Sequence, residues 1–572
     1  MKNRISFYFR AVPKPQERNF LFHLLELISM KYIGSICLML FCFSLAAQGD
    51  LPSGQVDVVK NFEARLAEAN RISVRPELPP LDSTTRRLNY NVVSKDVAVE
   101  YLAPRIRPLA FRTEKPPEIY DGYARLGGGY PNAFYGELSY DITQNEDFDF
   151  GIELMRHTAN NKKKVENQRY SNNSLGLDGT FYFDQGFAVN GEIGYENNGV
   201  YYYGYNDINE ELDTMLYSFT DEEVRQRFSI FDFGLDIFNG ERTQADFNYR
   251  AGIDIYLMDD NYAARENGML LTLEGTKWFD EKHPLSIVLK TDFSTFRDTM
   301  KQTLNNFYLE PSYTYHGDAF QVKIGANITS FEDNFSLFPN LEASANIVQG
   351  ALTAYVGANG SLTKNNFRNL IEYNPFLRSR MEIRNSKWTE YYGGVKGTIA
   401  GITYQGQIGY KAIDDLALFQ LNDPLESIPR FDVQYDTATI VTIKGTVMMP
   451  LFTGLEVTGS VSQNFFSLER EEKPWHLPSF TVNAGARYTT PERKFSLKAD
   501  FFLENGVPYR NTAGEVDNLN ALFDLSIMGE YYITKNIGAW VQLNNLAGNN
   551  RQRWFRYPTL GLNAMVGVSA RF

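Results

Sequence analysis

The chain has 572 residues, 43% hydrophobic and 14% aromatic, with 56 basic residues against 69 acidic ones and a net charge of −13. That acidic balance argues against a nucleic-acid-binding surface, which needs clustered positive charge. Its 35 Tyr and 42 Phe are too many for a disordered chain. A mean hydropathy of −0.35, with a single apolar run approaching the roughly 20 residues of a helical span, excludes a polytopic helical membrane protein. What remains is an aromatic-rich β chain, soluble or in a membrane barrel.

Residues 1–29 read as a wrongly assigned start or a long n-region. Met30-Lys31 opens a basic start, the apolar run Tyr32 to Ala47 follows, and Ser44, Ala46 and Ala47 close it. This is the order of a secretory signal, placed over 30–47. The only cysteines, Cys37 and Cys42, fall inside it, so the mature chain has no disulfide. Cys42 follows the bulky Phe41, which argues against lipidation. Without residues 1–47 the chain keeps 50 basic and 67 acidic residues, a net charge of −17.

Residues 48–122 show no sustained alternation. Positions 55–71 read as an amphipathic helix with Val59, Phe62, Leu66 and Ala69 on one face. Phe62 and Leu66 are its candidate contacts for a periplasmic partner. Prolines from Pro76 to Pro117 favour an extended segment. It also carries Arg75, Arg86, Arg87, Arg105, Arg107 and Arg112. The expectation is that this segment lies in or across the periplasmic mouth of a barrel and pairs with carboxylates on its wall.

From Tyr123 to Phe572 apolar and polar residues alternate over stretches of about ten, the dyad pattern of a transmembrane β-barrel with a wet lumen. Phe320, Val322, Ile324, Ala326 and Ile328, for example, interleave with Gln321, Lys323, Gly325 and Asn327. A soluble sandwich also alternates. Its loops have no reason to alternate between long (160–173, 205–222, 365–380, 413–430, 505–519) and tight (184–186, 239–240, 316–318, 400–401, 452–454, 534–536). Short periplasmic turns and long external loops explain that alternation. The reading is all-β: an antiparallel barrel of about 22 strands over 123–572, preceded by a Pro-rich periplasmic segment.

In the last strand Leu560, Leu562, Ala564, Val566, Val568, Ala570 and Phe572 share one face, and the chain ends on an aromatic residue. Phe572, Val568 and Val566 are the candidate signal for the barrel-assembly machinery. Tyr201 to Tyr203 suit an interfacial aromatic girdle. Lys162 to Lys164 form a basic loop tip, solvated or facing lipopolysaccharide phosphates. Asp259-Asp260 and Asp414-Asp415 are expected at outer rims. His157, His283, His316 and His476 are far apart in sequence, without metal-ligand spacing. No nucleophile elbow, phosphate loop or zinc motif occurs, so neither enzyme activity nor a cofactor is expected.

The run Val541 to Leu546 (VQLNNL), then Tyr557-Pro558, Gly561, Gly567 and terminal Phe572, resembles the ends of TonB-dependent outer-membrane receptors. The signal ending in Ala-Gln and the aromatic-rich strands look like proteins of the Bacteroidetes group. The resemblance implies a Gram-negative outer-membrane location among lipids and lipopolysaccharide and ligand transport or binding; residues 48–122 are the candidate contact for a TonB-type or other periplasmic partner. Members of that family carry a globular plug before the barrel, and residues 48–122 do not read as one. Two functions follow: a receptor-like transport barrel, or a structural scaffold that docks a periplasmic or membrane partner.

Overall fold

A computed structural model describes residues 120–142, 147–332, 334–549 and 551–572. The expectations for the start, the signal, the helix with Phe62 and Leu66, and the Pro-rich stretch lie outside the described residues. In lipid every backbone N–H and C=O needs a partner, so strands can span only as a closed barrel. The chain meets that demand with 22 strands in one sheet, from Gly122–Tyr130 to Asn563–Arg571. Strands adjacent in the barrel pair antiparallel. The first pairs with the last, from Tyr123 opposite Arg571 to Tyr130 opposite Ala564, so no edge is left to aggregate. The expected strand number and alternation are both present, with the barrel beginning at Gly122.

The alternation sorts side chains between lipid and lumen. On the last strand Val566 and Val568 are 62% and 59% exposed, while Met565 and Ser569 on either side of the pair are buried. Val566, Val568 and Phe572 therefore stand on the outer, apolar face. On the neighbouring strand Ile537–Asn544, Trp540 packs inward with Met565 and reaches the seam. Close approach there requires glycine. A Cβ on Gly127 would lie 2.2 Å from the Trp540 ring, and one on Gly129 would lie 1.8 Å from the Ala564 carbonyl oxygen.

One end of the barrel carries tight turns such as 400–401 and 453–454; the other carries the long connections 202–224, 366–383, 421–431, 469–479, 506–521 and 545–562. Short turns mark the periplasmic end and long loops the exterior. Two expected loops are corrected. Strand Arg169–Tyr182 takes positions 169–173 of 160–173, and strand Ile402–Gln420 takes positions 413–420 of 413–430. Asp414-Asp415 breaks the alternation because a register shift lies between Ile413 and Leu416, with Asp415 at a φ of 55°. Ile402–Gln420 and its neighbour Asp432–Phe452 have 19 and 21 residues, about twice the 9–11 that cross a bilayer. They rise beyond the membrane and hold the outer loops above it.

Candidate functional site

The outer loops make their own hydrophobic core. Tyr202, Tyr205 and Val224 of 202–224 pack with Phe367, Leu370, Ile371 and Leu377 of 366–383. Phe431, Val507, Leu519, Trp554, Phe555 and Tyr557 bring in the three loops at 421–431, 506–521 and 545–562. Outer strand ends contribute Phe228, Met258, Phe296 and Phe419. Burial of large apolar side chains, roughly 1.5–3 kcal/mol each, is the force that gathers these loops. The Tyr557 ring stacks on Phe376 at 3.8 Å, and its hydroxyl donates to the Pro429 carbonyl.

Buried polar groups fix how the loops interlock. The Tyr202 hydroxyl donates to the Leu377 carbonyl at 2.8 Å, and the Tyr203 hydroxyl to that of Pro558 at 2.8 Å. Arg556 is 1% exposed and pairs with Asp207 at 3.0 Å and Glu211 at 2.5 Å, both on the short helix α1 (Tyr205–Glu211). Burial raises the Asp207 pKa above the ordinary carboxylate value against the pull of Arg556. His476 is a junction of several elements. Its N–H donates to the Pro508 carbonyl at 3.0 Å, and its Nδ1 lies 2.7 Å from the Phe419 carbonyl. Its Nε2 accepts the Phe555 N–H at 3.4 Å, and its ring stacks on Trp554. Nδ1 therefore carries the proton of a neutral imidazole. Burial pushes its pKa down to about 3.

The loop 366–383 is tied to the wall by charge. Glu266 on strand Arg265–Phe279 is fully buried. It accepts the N–H groups of Phe367 and Arg368 at 2.7 and 3.2 Å, the Asn366 amide at 2.8 Å and the Tyr256 hydroxyl at 2.8 Å. It thereby satisfies N–H groups that the first turn of helix α2 (Phe367–Tyr373) leaves without intrahelical partners. Arg368 forks onto both oxygens of Asp232, and Lys364 pairs with Asp292 at 2.7 Å.

Against this anchor lies a cavity of about 570 Å³ whose wall carries Glu153, Asp178, Glu192, Asp232, Asp254 and Asp292, with Lys364 and Arg368. Six carboxylates against two cations make an acid-lined space. A second cavity, about 810 Å³, is walled largely by small residues such as Gly397, Gly459, Ser460, Ala484 and Gly485. The barrel thus combines a polar lumen with a loop cap that has an apolar core.

The sequence-based candidates fare unevenly. Phe572, Val568 and Val566 are exposed on the outer face, and Lys162 to Lys164 are exposed. Tyr202 is fully buried in the loop core, which overturns its place in a girdle. Asp260 accepts the N–H groups of Tyr262 and Ala264, and Asp415 pairs with Arg384, so both sit at outer rims but serve structure. His283 and His316 are not far apart: their rings lie 6.4 Å from one another, and His283 Nδ1 accepts the His316 N–H at 3.1 Å. Glu266, His476 as a junction, Arg556 and Arg368 were not found from sequence. Only Tyr557-Pro558 lay within a marked motif, and pairing partners tens to hundreds of residues apart leave no local signal.

No family model and no curated protein matches the chain. Solved structures do. The pyoverdine outer-membrane receptor FpvA of Pseudomonas aeruginosa PAO1, bound to pyoverdine, aligns at a TM-score of 0.56 and 10% identity over 80% of this chain and 79% of its own. A ferric enterobactin receptor (PfeA) mutant of Pseudomonas aeruginosa gives 0.57 and 11%, over 80% and 81%. The ferric-catecholate import receptor Fiu of E. coli K12 gives 0.56 and 8%, over 80% and 82%. At such identities the likeness shows the fold: the chain is an outer-membrane β-barrel with a TonB-dependent-receptor-like fold.

Proposed function

We propose that the chain is a receptor-like transport barrel whose outer mouth is closed at rest by its own loops and opens to admit a ligand into the acid-lined lumen. The observation that carries this reading is the loop cap, packed on a core of its own and tied by Glu266 and Arg368 to the wall of the acidic cavity. A lumen with an excess of carboxylates favours cationic over anionic solutes. The likeness to siderophore receptors supports transport as the class of function and leaves the ligand open. On this reading residues 30–47 are a signal peptide and residues 48–122 take the place of a globular plug. Phe62 and Leu66 then meet a TonB-type or other periplasmic partner. Val566, Val568 and Phe572 serve barrel assembly.

A second reading, a scaffold barrel without transport, is favoured by the same cap if it never opens. Leu377 and Phe431 form an isolated bridge between two cap loops, and the sequence has no cysteine from 48 onward, which leaves the background clean. The pair Leu377→Cys and Phe431→Cys should cross-link the cap on intact cells. Under any condition where deletion of the protein slows growth, a transport barrel with an oxidised lock behaves like the deletion, and reduction restores it. A scaffold keeps its activity when locked, and that result would reject the transport reading.

A further inference from the structure

Three oxygen atoms at the outer end of the lumen wall lack partners. They are Asp524 Oδ1, Asn545 Oδ1 and Asn549 Oδ1, each shielded from solvent and without a hydrogen bond among the described residues. Their residues line one cavity of about 190 Å³, together with Asn544, Thr559 and Asn563. Asp524 lies on strand Leu522–Tyr532, and the two asparagines belong to the loop 545–562 that follows strand Ile537–Asn544.

The amide orientations are fixed by their other ends. Asn545 Nδ2 donates to the Asn549 carbonyl at 2.7 Å, and Asn549 Nδ2 donates to the Phe523 carbonyl at 2.9 Å. Turning either amide over would set an oxygen against a carbonyl, so the unpaired atoms are the oxygens. Asp524 Oδ2 accepts the Ser526 hydroxyl at 3.0 Å, which leaves Oδ1. The backbone holds the parts together: the Leu546 N–H donates to the Leu525 carbonyl at 3.0 Å, and the Gly548 N–H to that of Asn545 at 2.8 Å. No lysine or arginine pairs with Asp524 among the described residues.

Three buried acceptors, one of them a carboxylate oxygen, demand a donor or a positive charge. One water donates only two hydrogens and brings no charge. A hard divalent cation takes oxygen ligands from carboxylates, amide side chains and carbonyls together, and completes its shell with water. We propose that Asp524, Asn545 and Asn549 form a binding site for a divalent cation of the Ca²⁺ type, which staples the 545–562 loop, and with it Arg556 and Tyr557, to the barrel wall. The site does not depend on the transport reading.

The test uses the full mature chain, refolded in detergent free of lipopolysaccharide and stripped with chelator. Tyr170 lines the same cavity, so Tb³⁺ bound there should show tyrosine-sensitised luminescence that Ca²⁺ displaces. Asp524→Asn should weaken binding at least about tenfold, as loss of a charged ligand does. Asn549→Asp, which adds a carboxylate, should tighten it and keeps the idea testable should the first variant fail to fold. Amide exchange at 545–549 should slow when Ca²⁺ is added. Luminescence that is absent in the parent chain, or equal in parent and both variants, would mean that ordinary water satisfies these oxygens and would overturn the proposal.

Discussion

Glu266→Gln should open the outer mouth while leaving the barrel intact. Glutamine keeps the size of the side chain and removes its charge. In the parent, one carboxylate oxygen takes the Phe367 N–H, and the other takes the Arg368 N–H, the Asn366 amide and the Tyr256 hydroxyl. Whichever way the glutamine amide turns, its NH₂ end faces donors that then lose their acceptor. Hydrogen bonds to a charged group contribute about 1.5–3 kcal/mol each, and breaking a buried charged network costs roughly 3–5 kcal/mol net. Arg368 keeps Asp232 and Lys364 keeps Asp292, so the lower end applies. At about 1.4 kcal/mol per tenfold, the opening equilibrium of 366–383 shifts on the order of a hundredfold or more. Protease added to intact cells should cleave the variant within 366–383 far faster than the parent, with unchanged heat-modifiable migration of the barrel. Equal cleavage rates in the two would show that Glu266 does not hold the loop.

Two further perturbations test other parts of the account. Val566→Asp with Val568→Asp places two charges on the lipid face of the closing strand, each unfavourable though by less than the ~2–4 kcal/mol of a lysine or arginine near mid-membrane; barrel yield should collapse, and normal yield would refute the face assignment. His476 titrates near 3 when buried against an ordinary value of 6.5, so below pH 6.5 the opened cap binds a proton that the closed cap excludes. Its contribution to cap stability is complete above pH 6.5 and falls with pH, by roughly 2 kcal/mol at pH 5. Amide protection in 469–479, taken relative to the intrinsic exchange rate at each pH, should fall on acidification in the parent, and His476→Gln should flatten that dependence.

The barrel was legible because its rule is local. Lipid on one side and water on the other impose a period of two on every strand, and Val566 or Ile324 reveals its face by its neighbours alone. The glycines at 127 and 129 escaped notice because their reason lies on strands distant in sequence, the ones bearing Trp540 and Ala564. The cap was illegible for the same reason. Tyr202 looked like a girdle residue because sequence shows an aromatic at a strand end and cannot show that Leu377 waits above it. Asp414-Asp415 looked like a loop because a bulge breaks alternation as a loop does. His283 and His316 became neighbours only through the register of strands His283–Arg297 and Lys301–His316.

Planar-bilayer conductance tests the closed outer mouth most directly. A barrel purified without residues 76–117, part of the segment proposed to stand in for a plug, should show no steady large currents, and Glu266→Gln in that background should show frequent openings under the same conditions. Steady open currents from that barrel, unchanged by the substitution, would contradict a mouth closed by its own loops.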